Sequence, residues 1–197
     1  MSQLVLIPWG RTDWDDQHRF VGHTDVAINQ RGREQAARVA QEIVGLHVAS
    51  LYRAPEEAAR QTADIIGAAL GLKVREAPDL HEVNLGLWQG LTESEFRERY
   101  PSVHRQWHED PTSVEPPNGE LLVDAAARLL AALSAVLRRR RARPMAIVTG
   151  PMAVAALSLT LSGQPLTGWW AHLNALPAWR ALPMPPARSR FPAPPRP

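Results

Sequence analysis

Short apolar runs alternate along the chain with longer segments in which apolar residues recur every three or four positions. The short runs contain β-branched residues and predict buried strands at 4–7, 48–52 and 145–149. The longer segments between them have the spacing of helices. Because strands that alternate with helices favour a parallel sheet covered on both faces, the pattern predicts a three-layer α/β domain with a mainly parallel sheet.

Local start and stop signals mark the helices within the longer segments. Pro55 suits the first turn of a helix, and Gly71 suits its carboxyl end. Thr92 and Glu95 have the spacing of a capping box, which predicts the start of a further helix. The predicted helices cover residues 32–44, 55–70, 92–100 and 119–141.

The length and composition of the chain limit its class. With 197 residues it is long enough for one core, so we expect one domain over 1–182 and a flexible tail over the proline-rich segment 183–197. The absence of cysteine excludes disulfides, cysteine nucleophiles and thiolate metal sites. The longest apolar run, 152–161, is about half the roughly 20 residues of a membrane span. We therefore expect a cytoplasmic protein that does not contact membranes.

The pI near 9.6 suggests an anionic partner until the charges are located. Three of the 22 basic residues are Arg188, Arg190 and Arg196, so residues 1–182 carry 19 basic and 20 acidic side chains. The predicted domain is therefore neutral. The arginine run at 138–141 lies at the carboxyl end of a predicted helix, where cations suit the helix dipole. Nucleic-acid binding is accordingly not expected.

Chemistry is expected beyond the carboxyl ends of the strands, because ligands bind there in open parallel sheets. Around these positions the chain resembles the histidine phosphatase superfamily, also called phosphoglycerate mutase-like. The resemblance runs from Leu4 to about Asn174. It is carried in order by LIPWGRT with Trp14 (6–14), RFVGHTD (19–25), NQRGREQA (29–36), AP with QTA (54–63), LHE with LGLWQGLT (80–92), GE with Asp124 and Arg128 (119–128), and IVT (147–149).

The resemblance implies a phosphoglycerate mutase-like fold with a small helical cap over about 86–119. It also implies phosphoryl transfer through a phosphohistidine. Members of the family open with Arg-His-Gly, in which the histidine is the nucleophile and the arginine binds phosphate. A second arginine, a glutamate acting as general acid and a second histidine complete a cationic pocket.

This sequence departs from the family pattern at nearly every one of those positions. The substitutions are Pro8 for the first arginine, Trp9 for the nucleophile, Asp15 for an asparagine, Ala58 for the second arginine and Gly150 for the second histidine. Glu82 alone remains, as a vestigial general acid. Indole has no lone pair with which to attack phosphorus, and phosphoryl transfer needs positive charge around the phosphate oxygens. Arg11 and Arg53 are the candidates for residual anion binding.

These substitutions predict a pseudoenzyme that acts as a binding or scaffold protein, with an unidentified protein or small molecule as its partner and at most weak binding of phosphate compounds. Two alternatives remain open. One is an active phosphomonoesterase with a site rearranged around Glu82, and the other is a deliberately inactivated histidine phosphatase. No cofactor is predicted.

No metal site is predicted either. His104 and His108 have the i, i+4 spacing of a helical metal pair, but the sequence identifies no third ligand. His81-Glu82 begins like a zincin motif, whereas Leu85 occupies the position of its second histidine. Both pairs are therefore interpreted as ordinary surface or loop residues.

Overall fold

A five-stranded sheet organises the computed structural model, which describes residues 3–138 and 143–185. The strands are β1 Gln3–Pro8, β2 Ser50–Arg53, β3 Val74–Glu76, β4 Met145–Thr149 and β5 Arg180–Pro183. Their spatial order is β3-β2-β4-β1-β5, with β5 antiparallel to β1 and the other neighbours parallel. All five residues of β4 are buried, because this strand lies at the centre of the sheet.

Helices surround the sheet, and two of them fall within residues 86–119, the segment of the predicted cap, which is called the cap below. They are α1 Asp13–Asp16, α2 Gln30–Ile43, α3 Glu57–Leu70, α4 Glu93–Arg99, α5 Pro101–Glu109, α6 Leu122–Arg138, α7 Pro151–Leu161 and α8 Trp169–Asn174. Helix α2 packs against α3, and α6 packs against α7. Helix α7 has no polar face, and residues 153–159 are all buried, as expected for a core helix. The predicted α/β class with a mainly parallel sheet is confirmed.

The differences from the predicted elements have local causes. Strand β3 has three residues, two of them exposed, and β5 is a short edge strand, so neither has an apolar run that predicts it. Helix α5 directly follows α4, and Pro101 occupies its first turn rather than ending the helical segment. Residues 139–141 of the longest predicted helix and residues 186–197 of the predicted tail lie outside the described residues.

An aromatic cluster holds the cap against the sheet domain. Phe96 of α4 is fully buried and meets the ring of Phe20 edge to face, with ring centroids 5.6 Å apart. Trp107 of α5 packs against both phenylalanines at the same centroid distance. The indole of Trp170 donates to the carbonyl of Trp107 at 2.9 Å, which ties α8 to the cap. Edge-to-face contacts of this kind stabilise a fixed packing of the cap.

Within residues 3–138 and 143–185, no helix has both the length and the apolar character needed to cross a membrane.

A close backbone approach between Gly10 and Gly32 sets the loop that follows β1. A Cβ on Gly32 would collide with the backbone of Arg11, and a Cβ on Gly10 would collide with the carbonyl of Gly32. Gly45, by contrast, is exposed and has open space where a Cβ would go. The loop after β1 therefore depends on two glycines that allow α2 to approach it.

We predict that Gly32→Ala lowers the free energy of unfolding by about 1–3 kcal/mol, because the backbone must shift to admit the methyl group. The matched Gly45→Ala variant is expected to unfold like the wild type. Urea unfolding of the three proteins followed by circular dichroism measures the difference. Equal stability of Gly32→Ala and wild type would contradict the close approach.

Candidate functional site

The carboxyl ends of β1 and β4 lie side by side and carry two of the substituted positions. Pro8 ends β1 and is paired with Thr149, the last residue of β4. The N–H of Trp9 donates to the carbonyl of Thr149 at 2.9 Å. Trp9 is 5% exposed and belongs to the hydrophobic core, and its indole Nε1 has no hydrogen-bond partner in the described part of the chain. A bulky apolar ring is thus buried at the position to which the resemblance assigns the nucleophile.

Glu82 is buried at the amino end of α7. Its Oε1 accepts from the backbone N–H of Val83 at 2.8 Å and of Ala153 at 2.6 Å, and its Oε2 accepts from that of Met152 at 2.9 Å. Met152 and Ala153 belong to the first turn of α7, where the N–H groups have no partner inside the helix. The carboxylate therefore occupies the end of the helix that favours an anion.

Two of the substituted positions carry small residues at the starts of α3 and α7. Gly150 directly precedes α7, and a Cβ built on it would overlap the Glu82 carboxylate. Ala58, in the first turn of α3, is 1% exposed and contributes only a methyl group. Pro151 has no N–H to offer a ligand. The glycine at 150 is thus a condition for the observed position of Glu82.

Burial also changes the acidity of this group. Removal from water raises the pKa of Glu82 from 4.5 to about 8, and the neighbouring Glu56 carboxyl raises it as well, whereas its N–H donors act in the opposite direction. Glu56 is 2% exposed, and burial likewise raises its pKa. Its Oε1 accepts from the N–H of Glu82 at 2.8 Å. Glu82 has the raised pKa of a general acid, but its side chain is closed off from solvent.

An ion pair on α6 fixes the segment that carries Glu82. Arg128 binds Glu120 with Nη2 2.6 Å from Oε1, and both side chains are largely buried. The same guanidinium donates to the carbonyls of Asp79 at 2.9 Å and His81 at 3.0 Å. Glu120 in turn accepts from the N–H of Asn84 at 2.9 Å. The loop around Glu82 is thus held by backbone contacts on both sides.

The two arginines predicted to retain anion binding are each paired with a carboxylate of the chain. Nε of Arg11 donates to Asp16 at 2.9 Å on the surface. Arg53 is only 15% exposed, and its Nη2 lies 2.6 Å from Glu76. An incoming anion would compete with these acidic partners for both arginines.

Asp15 stabilises the start of α1. Its Oδ2 accepts from the N–H and from the hydroxyl of Thr12, both at 2.7 Å, and the Thr12 hydroxyl accepts from the Asp15 N–H in return. This reciprocal pair is a capping box. The carboxylate at this position thus has a local structural role.

Glu56 is a residue of the site that the sequence does not reveal. The available signal was its place, directly after Pro55 at the carboxyl end of β2, where side chains of an α/β sheet meet ligands. A carboxylate at the start of a helix is common, however, and nothing in the sequence distinguishes a buried one from an exposed one.

The raised pKa of Glu82 predicts a pH-dependent stability. Between about pH 5 and pH 8 the folded state retains a proton that the unfolded chain has lost, so the free energy of unfolding falls as the pH rises. We predict that Glu82→Gln removes this component, which approaches about 1.4 kcal/mol per pH unit for one proton. Urea unfolding of the wild type and of Glu82→Gln across this pH range isolates the contribution of Glu82 to the free energy of unfolding, because both proteins contain the same histidines and Glu56. Parallel stability profiles would contradict a protonated Glu82.

Comparison with known proteins gives relatives of similar length. The chain is 29% identical over 171 residues to phosphoserine phosphatase 1 of Hydrogenobacter thermophilus, covering 87% of this chain and 81% of the relative. It is 32% identical over 176 residues to glucosyl-3-phosphoglycerate phosphatase of Mycobacterium tuberculosis, covering 85% and 78%.

Solved structures agree with this comparison. Bacillus stearothermophilus YhfR superimposes with a TM-score of 0.81 at 26% identity, covering 87% of this chain and 85% of that chain. A mycobacterial glucosyl-3-phosphoglycerate phosphatase in complex with VO3 gives a TM-score of 0.76 at 32% identity, covering 87% and 85%. The family model described as histidine phosphatase superfamily (branch 1) matches residues 4–185. The chain therefore belongs to the histidine phosphatase superfamily.

Proposed function

We propose that this member of the superfamily is a binding protein that does not hydrolyse phosphomonoesters. The observation that carries the proposal is the Glu82 carboxylate at the start of α7. A phosphate group at that end of the helix would need the same N–H groups of Met152 and Ala153 that Glu82 already holds. Each of those N–H groups has one proton to donate, so a phosphate oxygen could accept it only after the Glu82 side chain had left.

The substitution of the nucleophile supports the proposal independently. Trp9 lies at the end of β1, and its indole nitrogen is a hydrogen-bond donor without a lone pair for phosphorus. Loss of the nucleophile alone costs on the order of 10⁶ in rate in a well-studied protease. Pro8, Ala58 and Gly150 add no positive charge that would stabilise the transferred group.

A second candidate function is phosphomonoester hydrolysis by a rearranged site around Glu82. The names of the relatives favour it, since the proteins of Hydrogenobacter thermophilus and Mycobacterium tuberculosis are both called phosphatases and neither name indicates lost activity. The raised pKa of Glu82 also suits a general acid. The other alternative is a histidine phosphatase that was inactivated deliberately. It predicts the same absence of hydrolysis as our proposal.

Hydrolysis rates on phosphomonoesters separate the two candidates. We predict that the wild-type chain and Glu82→Gln both release phosphate from a nitrophenyl phosphate, phosphoserine and a sugar phosphate at the rate of the protein-free control. A combined variant, Pro8→Arg, Trp9→His, Ala58→Arg and Gly150→His, tests whether the loss lies in those four positions. It is expected to gain turnover when its new histidine displaces Glu82 from the start of α7.

Turnover by the wild type that Glu82→Gln abolishes would overturn the proposal in favour of the second candidate. Arg60→Ala is a suitable control for nonspecific effects of substitution, because Arg60 is exposed on α3 and pairs only with Glu57 and Asp64 among the described residues. This variant is expected to leave the measured rates unchanged.

A further inference from the structure

Three side chains from separate segments converge beside Glu82, and we call them the His23–Glu56–His81 cluster. His23 lies in the loop between α1 and α2, Glu56 directly precedes α3, and His81 follows the 3₁₀ turn Pro78–Leu80. One nitrogen of each imidazole and one carboxylate oxygen lie within 4.8 Å of one another. These donors lie at the carboxyl edge of the sheet, where α/β proteins bind ligands.

Glu56 contributes a buried oxygen that the protein leaves without a partner. Its Oε1 is held by the N–H of Glu82 at 2.8 Å, whereas Oε2 has no hydrogen-bond partner among the described residues. The side chain is only 2% exposed. An unsatisfied buried carboxylate oxygen is unfavourable and calls for an explanation in a native protein, and a bound cation would supply one.

The ring of His81 is oriented as a metal ligand by a hydrogen bond to the backbone. Nδ1 of His81 donates to the carbonyl of Glu82 at 2.9 Å, which leaves the lone pair on Nε2. This kind of hydrogen bond from the second ring nitrogen orients most metal-bound histidines. Burial lowers the pKa of His81, which favours the neutral form that binds metals.

His23 completes the arrangement from the solvent side. Its ring stacks on that of His81 with centroids 4.3 Å apart and an interplanar angle of 11°. Its Nε2 lies 3.7 Å from Oε1 of Glu56. The N–H of His23 donates to the side chain of Gln89 at 2.7 Å, which fixes the backbone while the exposed ring remains free to adjust.

We propose that the His23–Glu56–His81 cluster binds a divalent transition-metal ion of the Zn²⁺ type through two imidazole nitrogens and one carboxylate oxygen. Imidazole donors favour such ions over Mg²⁺ and Ca²⁺, which prefer oxygen ligands. Each imidazole binds a metal through the lone pair in its ring plane, so the stacked rings of His23 and His81 cannot both ligate one ion as they stand. The exposed His23 side chain therefore has to rotate out of the stack to bring its nitrogen to the ion. The proposal does not depend on whether the chain hydrolyses phosphoesters.

A second group of the same composition serves as an internal control. His104 and His108 of α5 both direct Nε2 at Oε1 of Glu93, at 3.0 and 3.1 Å. Glu93 is the third polar group beside these histidines, which the sequence did not reveal. Here, however, every contact is a satisfied hydrogen bond, and the ring of His108 stacks on Trp170 with centroids 4.4 Å apart. No unpartnered buried atom calls for a metal at this position.

The test is calorimetric titration of Zn²⁺ into the full chain, freed of any affinity tag and stripped with a chelator that is then removed. We predict one tight site per chain, with affinity lowered at least about tenfold in His23→Ala, His81→Ala and Glu56→Gln. The His104→Ala/His108→Ala double variant is expected to keep that site. Glu56→Gln retains an acceptor for the N–H of Glu82, and His23→Ala alters an exposed ring, so both are expected to fold.

Thermal unfolding provides the second readout, because an ion that binds only the folded state raises the melting temperature. Zn²⁺ is expected to raise it in the wild type and in the double control variant but not in His23→Ala. The proposal is overturned if the chain binds no Zn²⁺, if the cluster variants bind it as tightly as the wild type, or if only the double control variant loses it. If the metal-free variants melt near the temperature of the metal-free wild type, they are folded, and a loss of Zn²⁺ binding then comes from the substituted ligand.

Discussion

The interaction on which the site depends is the one between the Glu82 carboxylate and the first N–H groups of α7. A helix start beyond a parallel strand is a natural anion site, and here the chain fills it with its own side chain. The Arg128–Glu120 pair holds the loop that delivers Glu82 to this place. The group that accepts from the first N–H groups of α7 is therefore part of the fold, and the phosphate of a substrate would have to displace it.

One of the substitutions is physically coupled to the position of Glu82. Glycine at 150 leaves the space that the carboxylate occupies, since a Cβ there would overlap it. Burial of the carboxylate in turn raises the pKa of Glu82. A histidine at 150 would displace Glu82, so the reversal experiment changes this position together with the other three.

The sequence predicts most of the fold because its central elements carry strong periodic signals. The buried runs of β1 and β4 and the amphipathic α2 and α3 follow from such patterns, whereas the short edge strands β3 and β5 form through pairing that the sequence does not record. Motifs assign the substituted positions to roles in the family, and those roles stay predictions. The sequence does not predict the burial of Glu56 or its approach to His23, since residues 33 positions apart meet only through the tertiary fold.

The central claim is that Glu82 occupies the phosphate position, and a crystal structure of the chain grown with orthovanadate tests it most directly. Our account predicts that the Glu82 carboxylate keeps its bonds to the N–H groups of Met152 and Ala153 and that no vanadate lies at the start of α7. Vanadate bound to those N–H groups, with Glu82 displaced, would contradict it.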